Sequence, residues 1–238
     1  VIHEQNAIPG MANRWLARVA SRVLEAFPGS FPARLSARAV GNPVRREIAA
    51  MPAPDVSFAG RPPHLLVLGG SLGAQALNEG VPAALAAVPE SRRPVVRHQA
   101  GRGKADTTAA AYRAAAVDAE VVEFVDDMAQ AYAWADLVVC RAGALTVCEL
   151  MAAGRPAVLV PYPHAVDDHQ TANARFLTEH GAARLLPQSA LDASSLGGLL
   201  ETLLADPAAL LAMGRAAHQL SRRDAAQRVA DVCEELAA

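Results

Sequence analysis

The chain has 238 residues, enough for one large domain or for one domain with part of another. Its 22 lysines and arginines nearly balance its 24 aspartates and glutamates, and the net charge of −2 argues against a nucleic-acid binder with a basic footprint. Apolar residues make up 52% of the chain and aromatic residues only 4%, so alanine, valine and leucine must build the core, and no apolar run approaches the roughly 20 residues of a membrane span.

The chain opens on Val1 and Ile2, which have the character of the end of a buried strand, with HEQN turning off it. A strand end with nothing before it suggests a domain cut in its middle. A helix is then predicted by apolar residues that recur every four positions: Met11, Trp15, Val19 and Val23. A parallel stripe of arginines could touch anionic lipid, although a solvated face is favoured: Arg14, Arg18 and Arg22.

A short strand over 38–40 and the sharp turn GNPVR precede residues 51–63, whose four prolines predict a connection between two bodies. The strand at 64–68 runs directly into GGSLGA at 69–74, and a helix follows to about residue 88. Glycines let a backbone approach a phosphate, and a helix N-terminus supplies N–H donors. Ser71 stands where the dinucleotide fingerprint has its second glycine, and no Gly-Lys-Ser/Thr follows, so neither standard nucleotide motif is present. A turn that merely packs a helix on a strand explains the stretch equally well.

Two further strands are predicted at 94–98 and 121–125. His98 ends the first and could be a functional base, but a structural histidine is favoured. The adjacent Asp126 and Asp127 suggest a metal, yet no third ligand is spaced for one. Asp127 is therefore predicted to cap the helix Met128–Trp134.

The most informative stretch is 136–163, which predicts strand Leu137–Cys140, a glycine turn, a helix and strand Ala157–Val160. Thr146 is placed near the helix N-cap, Glu149 in the first turn, and Gly154 at the C-terminal end. The ligand crevice of such a βαβ unit lies beyond the carboxyl ends of its strands. Backbone N–H groups of residues 144–147 would face that crevice, and Glu149 could accept hydrogen bonds from a ribose diol. A purely structural unit with Glu149 as a capping charge is the alternative.

The rest of the chain continues the alternation of strands and helices. Gln170 and Asn173 share a face of a helix predicted over 169–180, where amides can bond sugar hydroxyls or water. A strand at 184–186 and helices at 196–204, from 207 onward and at 225–236 follow. Asp206 and Pro207 are predicted as the N-cap and first residue of the second of these helices. The order predicts an α/β fold with a doubly wound, mainly parallel sheet. The odd count of three cysteines without a CxxC pair indicates free thiols in a reducing cytosol.

Six motifs, in order, carry a resemblance: HEQN, GNPVR, GGSLGA, FVDDM, CRAGALTVCE and QTANA. Together they resemble the MurG family of glycosyltransferase family 28, the bacterial N-acetylglucosaminyltransferases that form lipid II, over essentially the whole chain. The resemblance implies a GT-B fold of two Rossmann-like domains. It divides the chain into a remnant of the N-terminal acceptor domain at 1–45, a UDP-GlcNAc-binding domain at 46–222, and a C-terminal helix at 223–238 that packs back towards the N-terminal domain.

The resemblance also implies an activity and its partners. Family members are inverting enzymes that move N-acetylglucosamine from UDP-GlcNAc to lipid I in peptidoglycan synthesis. They work without a metal or other cofactor, as peripheral proteins on the anionic cytoplasmic face of the inner membrane, and no nucleic acid is involved. Family donor contacts carry over onto these positions: Asn6, Arg45, Ser71, Val125, Ala144, Leu145, Thr146, Val147, Cys148, Glu149, Gln170 and Asn173.

By this resemblance, backbone near Val125 would read uracil, Glu149 would hold the ribose diol, and Ser71 with the N–H groups near 144–146 would hold the diphosphate. Gln170 and Asn173 would address the sugar hydroxyls. Cys148 and His169 differ from the residues expected beside such a site. About the first third of the family sequence, with the proposed catalytic base and the membrane patch, lies upstream of residue 1, so no residue here is assigned as the base.

Two alternatives stay open at this stage. The chain could be a UDP-sugar-binding subunit without its own catalysis, which would need an N-terminal half in trans or self-association. It could instead be a UDP-GlcNAc 2-epimerase-like enzyme, since such enzymes share the GT-B architecture. A dehydrogenase is disfavoured because the nicotinamide fingerprint is missing.

Overall fold

The computed structural model describes residues 1–55 and 60–237, and these form two parallel β-sheets. The smaller sheet has the order β1-β2-β3, with β1 at Ile2–Glu4, β2 at Val23–Glu25 and β3 at Arg38–Ala39. Two short helices accompany it, α1 at Met11–Leu16 and α2 at Arg46–Ala49.

The larger sheet has six parallel strands in the order β6-β5-β4-β7-β8-β9. Its strands are β4 His64–Leu68, β5 Val95–Gln99, β6 Glu120–Val122, β7 Leu137–Cys140, β8 Ala157–Leu159 and β9 Ala183–Leu185. The chain order reverses between the neighbours β4 and β7, which is the point where open α/β sheets bind ligands. This arrangement confirms the predicted doubly wound parallel sheet.

Helices cover both faces of the larger sheet. They are α3 Gln75–Ala86, α4 Ala105–Ala114, α5 Met128–Trp134, α6 Ala144–Ala153, α7 His169–Glu179, α8 Ala193–Leu204, α9 Pro207–Leu220 and α10 Ala225–Ala237. Successive side chains of a strand point to opposite faces, and the two cores follow that alternation. Leu66, Val138 and Cys140 pack under α5, α6 and α7, whereas Leu65 and Val139 pack under α3 and α8.

Several end signals are confirmed. Asp127 accepts a hydrogen bond from the Gln130 backbone N–H at 2.8 Å and so caps α5. Gly154 ends α6 in the left-handed region with φ of 60°, which a glycine adopts without strain. Asp206 caps α9 through the Ala209 N–H. The predicted connection at 51–63 falls partly on residues 56–59, which lie outside the described residues.

Two local predictions are wrong. The first helix ends at Leu16, and Val23 belongs to β2, where it pairs with Ile2 instead of extending the helical face. The four-residue spacing of these apolar side chains comes from three successive elements, a helix, a turn and a strand, and not from one long helix. In the central unit Gly143 is the N-cap and α6 starts at Ala144, so Glu149 lies in the second turn and is not a capping charge.

The last helix returns to the smaller sheet. Val232 of α10 is buried with Leu24 and Val40, and Val229 packs beside them. Within the described part of the chain no single helix is long and apolar enough to cross a membrane, and the bent pair formed by 193–204 and 207–237 meets the length and composition test only with a 94° break.

Candidate functional site

The site lies at the carboxyl ends of β4 and β7, where the sheet order reverses. The glycine turn 69–74 follows β4, and residues 141–143 lead from β7 into α6. A crevice of about 460 Å³ lies beside the glycine turn and is lined on its other side by Arg141, Tyr162 and Gln170. Loops therefore bring together segments that are distant in the chain, because neighbouring parallel strands have their carboxyl ends on the same side of the sheet.

The start of α6 is a set of unused backbone donors. Gly143 offers no side-chain cap, so the N–H groups of Ala144, Leu145 and Thr146 have no acceptor within the helix. The Val147 N–H donates to the Gly143 carbonyl at 2.9 Å, so the donor set has three members and excludes residue 147. These donors and the helix dipole suit an anion.

The Val147 and Cys148 side chains do not face the crevice. Val147 is fully buried in the core, and Cys148 is buried against Asn42, whose amide Nδ2 donates to Sγ at 3.3 Å. Burial raises the pKa of the Cys148 thiol to about 11, which keeps it neutral at physiological pH. The predicted contacts of both residues are therefore limited to what their backbone can offer.

Glu149 is a buried carboxylate held by a buried phenol. It is 8% exposed, and the Tyr132 hydroxyl donates to its Oε2 at 3.1 Å. Burial raises the pKa of Glu149, while the Tyr132 hydrogen bond and the positive charge of Arg45 act in the opposite direction. Burial also raises the pKa of Tyr132 well above its ordinary value, so the phenol remains a donor. Tyr132 thus orients a carboxylate beside the exposed Arg45.

Val125 and Ser71 occupy the loops on either side of these groups. Val125 follows β6 and packs, half-buried, against the core cluster that contains Tyr132 and Val147. Ser71 is exposed in the glycine turn, whose Gly69 N–H donates to the Gln99 carbonyl at 3.0 Å. The uracil and diphosphate contacts predicted for these two residues remain predictions.

Gln170 and Asn173 have different surroundings although they share a helix. The Gln170 side chain lies at the crevice and its Oε1 accepts from the Tyr162 N–H at 2.9 Å. Asn173 is fully buried: its Oδ1 accepts from the Ala7 N–H at 2.8 Å, and its Nδ2 donates to Asn6 Oδ1 and the Ala142 carbonyl. The structure does not support the predicted sugar contact of Asn173, because its buried amide is already hydrogen-bonded to three backbone and side-chain groups. It pins Asn6, at the end of β1, to the start of the α6 loop.

His98 is structural, as the sequence favoured. It is fully buried, with Nε2 at 3.0 Å from Asn78 Oδ1 and Nδ1 at 2.8 Å from the Tyr112 hydroxyl, and burial lowers its pKa to about 3. In the ranges 1–55 and 60–237 no three histidine, cysteine or acidic side chains are arranged to hold a metal ion. That donor binding requires no metal stays a prediction.

Three residues near the site were not singled out from the sequence. They are Tyr132, Lys104 and Arg141. The Arg141 guanidinium donates to the Val160 and Pro161 carbonyls and to Gln188 Oε1, so it ties the loops after β7, β8 and β9 together. Its position between Cys140 and the glycine of CRAGAL was the available signal, since a charged residue directly after a buried strand lies at the crevice edge.

Comparison with known proteins identifies the family of this chain and shows how much of a relative's length it spans. Residues 64–229 match the family model described as the glycosyltransferase family 28 C-terminal domain. A protein of Stutzerimonas stutzeri (strain A1501), named UDP-N-acetylglucosamine--N-acetylmuramyl-(pentapeptide) pyrophosphoryl-undecaprenol N-acetylglucosamine transferase, is 56% identical over 237 residues. The alignment covers 100% of this chain and 66% of the relative, so the chain spans slightly less than two thirds of that protein.

Solved structures of glycosyltransferases also match this chain. The crystal structure of MurG from Acinetobacter baumannii matches with a TM-score of 0.86 and 42% identity, over 98% of this chain and 67% of that one. The calicheamicin glycosyltransferase CalG4 matches with a TM-score of 0.62, over 96% of this chain and 55% of the CalG4 chain. Its identity to this chain is only 19%, so the match is evidence for the fold alone. The GT-B architecture expected from the sequence is confirmed.

Proposed function

The chain belongs to glycosyltransferase family 28, and from that membership we propose that it carries the donor-binding part of a hexosyltransferase that moves N-acetylglucosamine from UDP-GlcNAc to lipid I, undecaprenyl-diphospho-N-acetylmuramoyl-pentapeptide. The single observation that carries the proposal is the pairing of the three unused N–H donors of α6 with the Tyr132-held carboxylate of Glu149 one turn further on. A nucleoside diphosphate presents an anion and a ribose diol, which suit these two groups.

Each part of the donor has a proposed partner. The ribose diol donates to Glu149, and the diphosphate accepts from Ser71 and from the N–H groups of residues 144–146. Uracil lies against the backbone at Val125, with Arg45 near the nucleoside. Gln170 addresses the sugar hydroxyls. Asn6 is proposed to meet the donor from the other sheet, in the position that Asn173 fixes.

The proposed chemistry is an inverting displacement at the anomeric carbon. The acceptor hydroxyl attacks, the bond from carbon to the UDP oxygen breaks, and negative charge develops on the diphosphate. Donors already aimed at that charge stabilise the transition state, because they need no reorganisation during the reaction. In this chain those donors are the three N–H groups and the N-terminal dipole of α6. The base that takes the hydroxyl proton is assigned to none of the described residues.

Partners and place follow from the same family. Lipid I is a membrane-bound acceptor, so we place the protein at the cytoplasmic face of the inner membrane as a peripheral protein attracted to anionic lipid. The family match at 64–229 disfavours the 2-epimerase alternative.

The test is Glu149→Ala. Loss of a hydrogen bond to a charged group should weaken UDP binding by about 1.5–3 kcal/mol, measured by calorimetry. The helix should persist because alanine is a good helix former. Glu90→Ala, an exposed acid that precedes β5 and so lies at the opposite edge of the sheet, is the matched control and should bind UDP as the parent chain does. Unchanged UDP affinity in Glu149→Ala would sink the assignment.

A further inference from the structure

Lys104 is the chain's single lysine; the other 21 of its 22 cationic side chains are arginines. It ends a second glycine-containing turn, AGRGK at 100–104, which follows β5 as GGSLGA follows β4. The proposed donor contacts make no use of it.

The two turns interlock through their backbones. Gly101 has φ of 90°, and a Cβ there would lie 2.3 Å from the Gly73 nitrogen. Gly73 has φ of 69°, and a Cβ there would lie 2.1 Å from the Ala100 carbonyl oxygen. No side chain fits at either position, so the first turn takes its place from the second. The Arg102 N–H reaches the Ser71 carbonyl at 3.4 Å in the same contact.

Lys104 adds a side-chain hydrogen bond to the tip of the first turn. Its Nζ donates to the Leu72 carbonyl at 2.8 Å, next to Ser71. The Leu72 side chain is 84% exposed, so packing does not hold this tip in place. Lys104 also lines the 460 Å³ crevice together with Arg141 and Gln170.

The chemistry of the ammonium gives it a second use. It carries three N–H donors, and the Leu72 carbonyl takes one. Arg141, the other cation at the crevice, spends both terminal nitrogens on Val160, Pro161 and Gln188. A compact, rotatable point charge with two remaining donors suits a phosphate better than an arginine already committed to loop carbonyls.

From these contacts we infer that Lys104 is a positioning residue for the Ser71 turn and the cation that faces the donor's diphosphate. The inference deepens the proposed function and rests on it. Lys104 should therefore contribute to binding of the donor's diphosphate and not to binding of its nucleoside.

Calorimetry with UDP and with uridine tests that separation. Lys104→Met should weaken UDP binding roughly tenfold or more, as loss of a charge-assisted hydrogen bond does, and change uridine binding less than about twofold. Lys104→Arg should restore a large part of the UDP affinity because it keeps the charge and a donor. Arg113→Met is the matched control: it removes an exposed cation from α4, the helix that Lys104 precedes, and should change neither affinity.

The outcomes are distinguishable. If the parent chain binds no UDP, the proposed function fails and this inference with it. If the parent chain binds UDP and Lys104→Met binds it equally well, the inference fails and the proposed function stands. Equal losses for UDP and uridine in Lys104→Met would also overturn it, since they would indicate general damage to the fold.

Amine chemistry gives a second readout that needs no variant. In a sample that consists of residues 1–238 with a free N-terminus, the amines open to an N-hydroxysuccinimide ester are Lys104 and the α-amino group of Val1, and peptide mass spectrometry separates the two. UDP should slow acylation of Lys104 at least severalfold relative to Val1, whereas uridine should not. Equal slowing by both ligands, or by neither, would contradict a contact with the diphosphate.

Discussion

Glu149 shows how one residue can serve binding at the expense of stability. Its carboxyl is buried, its pKa is raised by that burial, and Tyr132 holds it in one orientation. The sequence marked Glu149 as a ligand for a diol but could not supply Tyr132, because the contact joins α5 to α6 and depends on how the two helices pack. The same limit applies to Asn173, whose amide position suggested a sugar contact until its three buried partners were seen.

Replacing Glu149 with glutamine should therefore have opposite effects on folding and on binding. A carboxyl with a raised pKa in the folded state stabilises the fold below its unfolded pKa, and that contribution is lost as the pH rises through the folded pKa. Glu149→Gln should thus match the parent chain at acidic pH and unfold at a higher temperature than the parent at pH 7 to 8, as thermal melts would show. The parent's UDP affinity, relative to that of Glu149→Gln, should rise over the same pH range, because ionisation of the UDP phosphate affects both proteins alike. A parent that is the more stable of the two at pH 8 would contradict the argument.

At the scale of elements, the sequence located the larger sheet well. β4 and β7 were predicted at their observed bounds because each is an unbroken apolar run ended by glycine or a polar residue. β2 was missed because three residues carry too little periodicity to compete with an apparent helix. The start of α6 was placed late, since Gly143 caps it without a side chain and leaves no capping signature.

The exposed start of α6 leads to a prediction about metals. If backbone N–H groups and the helix dipole hold the diphosphate, UDP binding should be unchanged when EDTA is added, because no part of that contact passes through a metal ion. Calorimetry with and without EDTA, and with added magnesium as the control, measures this. A requirement for magnesium or manganese would direct attention back to the Asp126 and Asp127 pair.

At the scale of the molecule, the two sheets are joined by specific contacts. Asn6 bonds Asn173, Asn42 bonds Cys148, and the Phe27 ring meets the Phe176 ring edge-on at 5.1 Å. The helix α1 and the turn after it also present apolar side chains to solvent: Met11, Trp15 and Val19 are 73%, 63% and 82% exposed. Patches of this kind favour association, so another copy or a partner is expected to cover them.

The chain alone should bind the donor without transferring sugar. Its proposed contacts cover UDP-GlcNAc, and no base is assigned among them. Incubation with UDP-GlcNAc and a lipid I analogue should give no product, and addition of the N-terminal third of the Stutzerimonas stutzeri relative should restore turnover. That fragment by itself is the control. Product formed by the chain alone would refute the prediction.

The return of α10 to the smaller sheet has a consequence for how the protein is made. Leu24 is synthesised long before Val232, which covers it. Because these two residues are so far apart in sequence, their contact carries a large entropy cost of loop closure and forms late in folding. On the ribosome, β1 to β3 would wait with that apolar face open while the larger sheet folds behind them. A premature stop codon shortly before residue 225 would thus destabilise the smaller sheet, far from the lesion in sequence, and leave the six-stranded sheet with its own core.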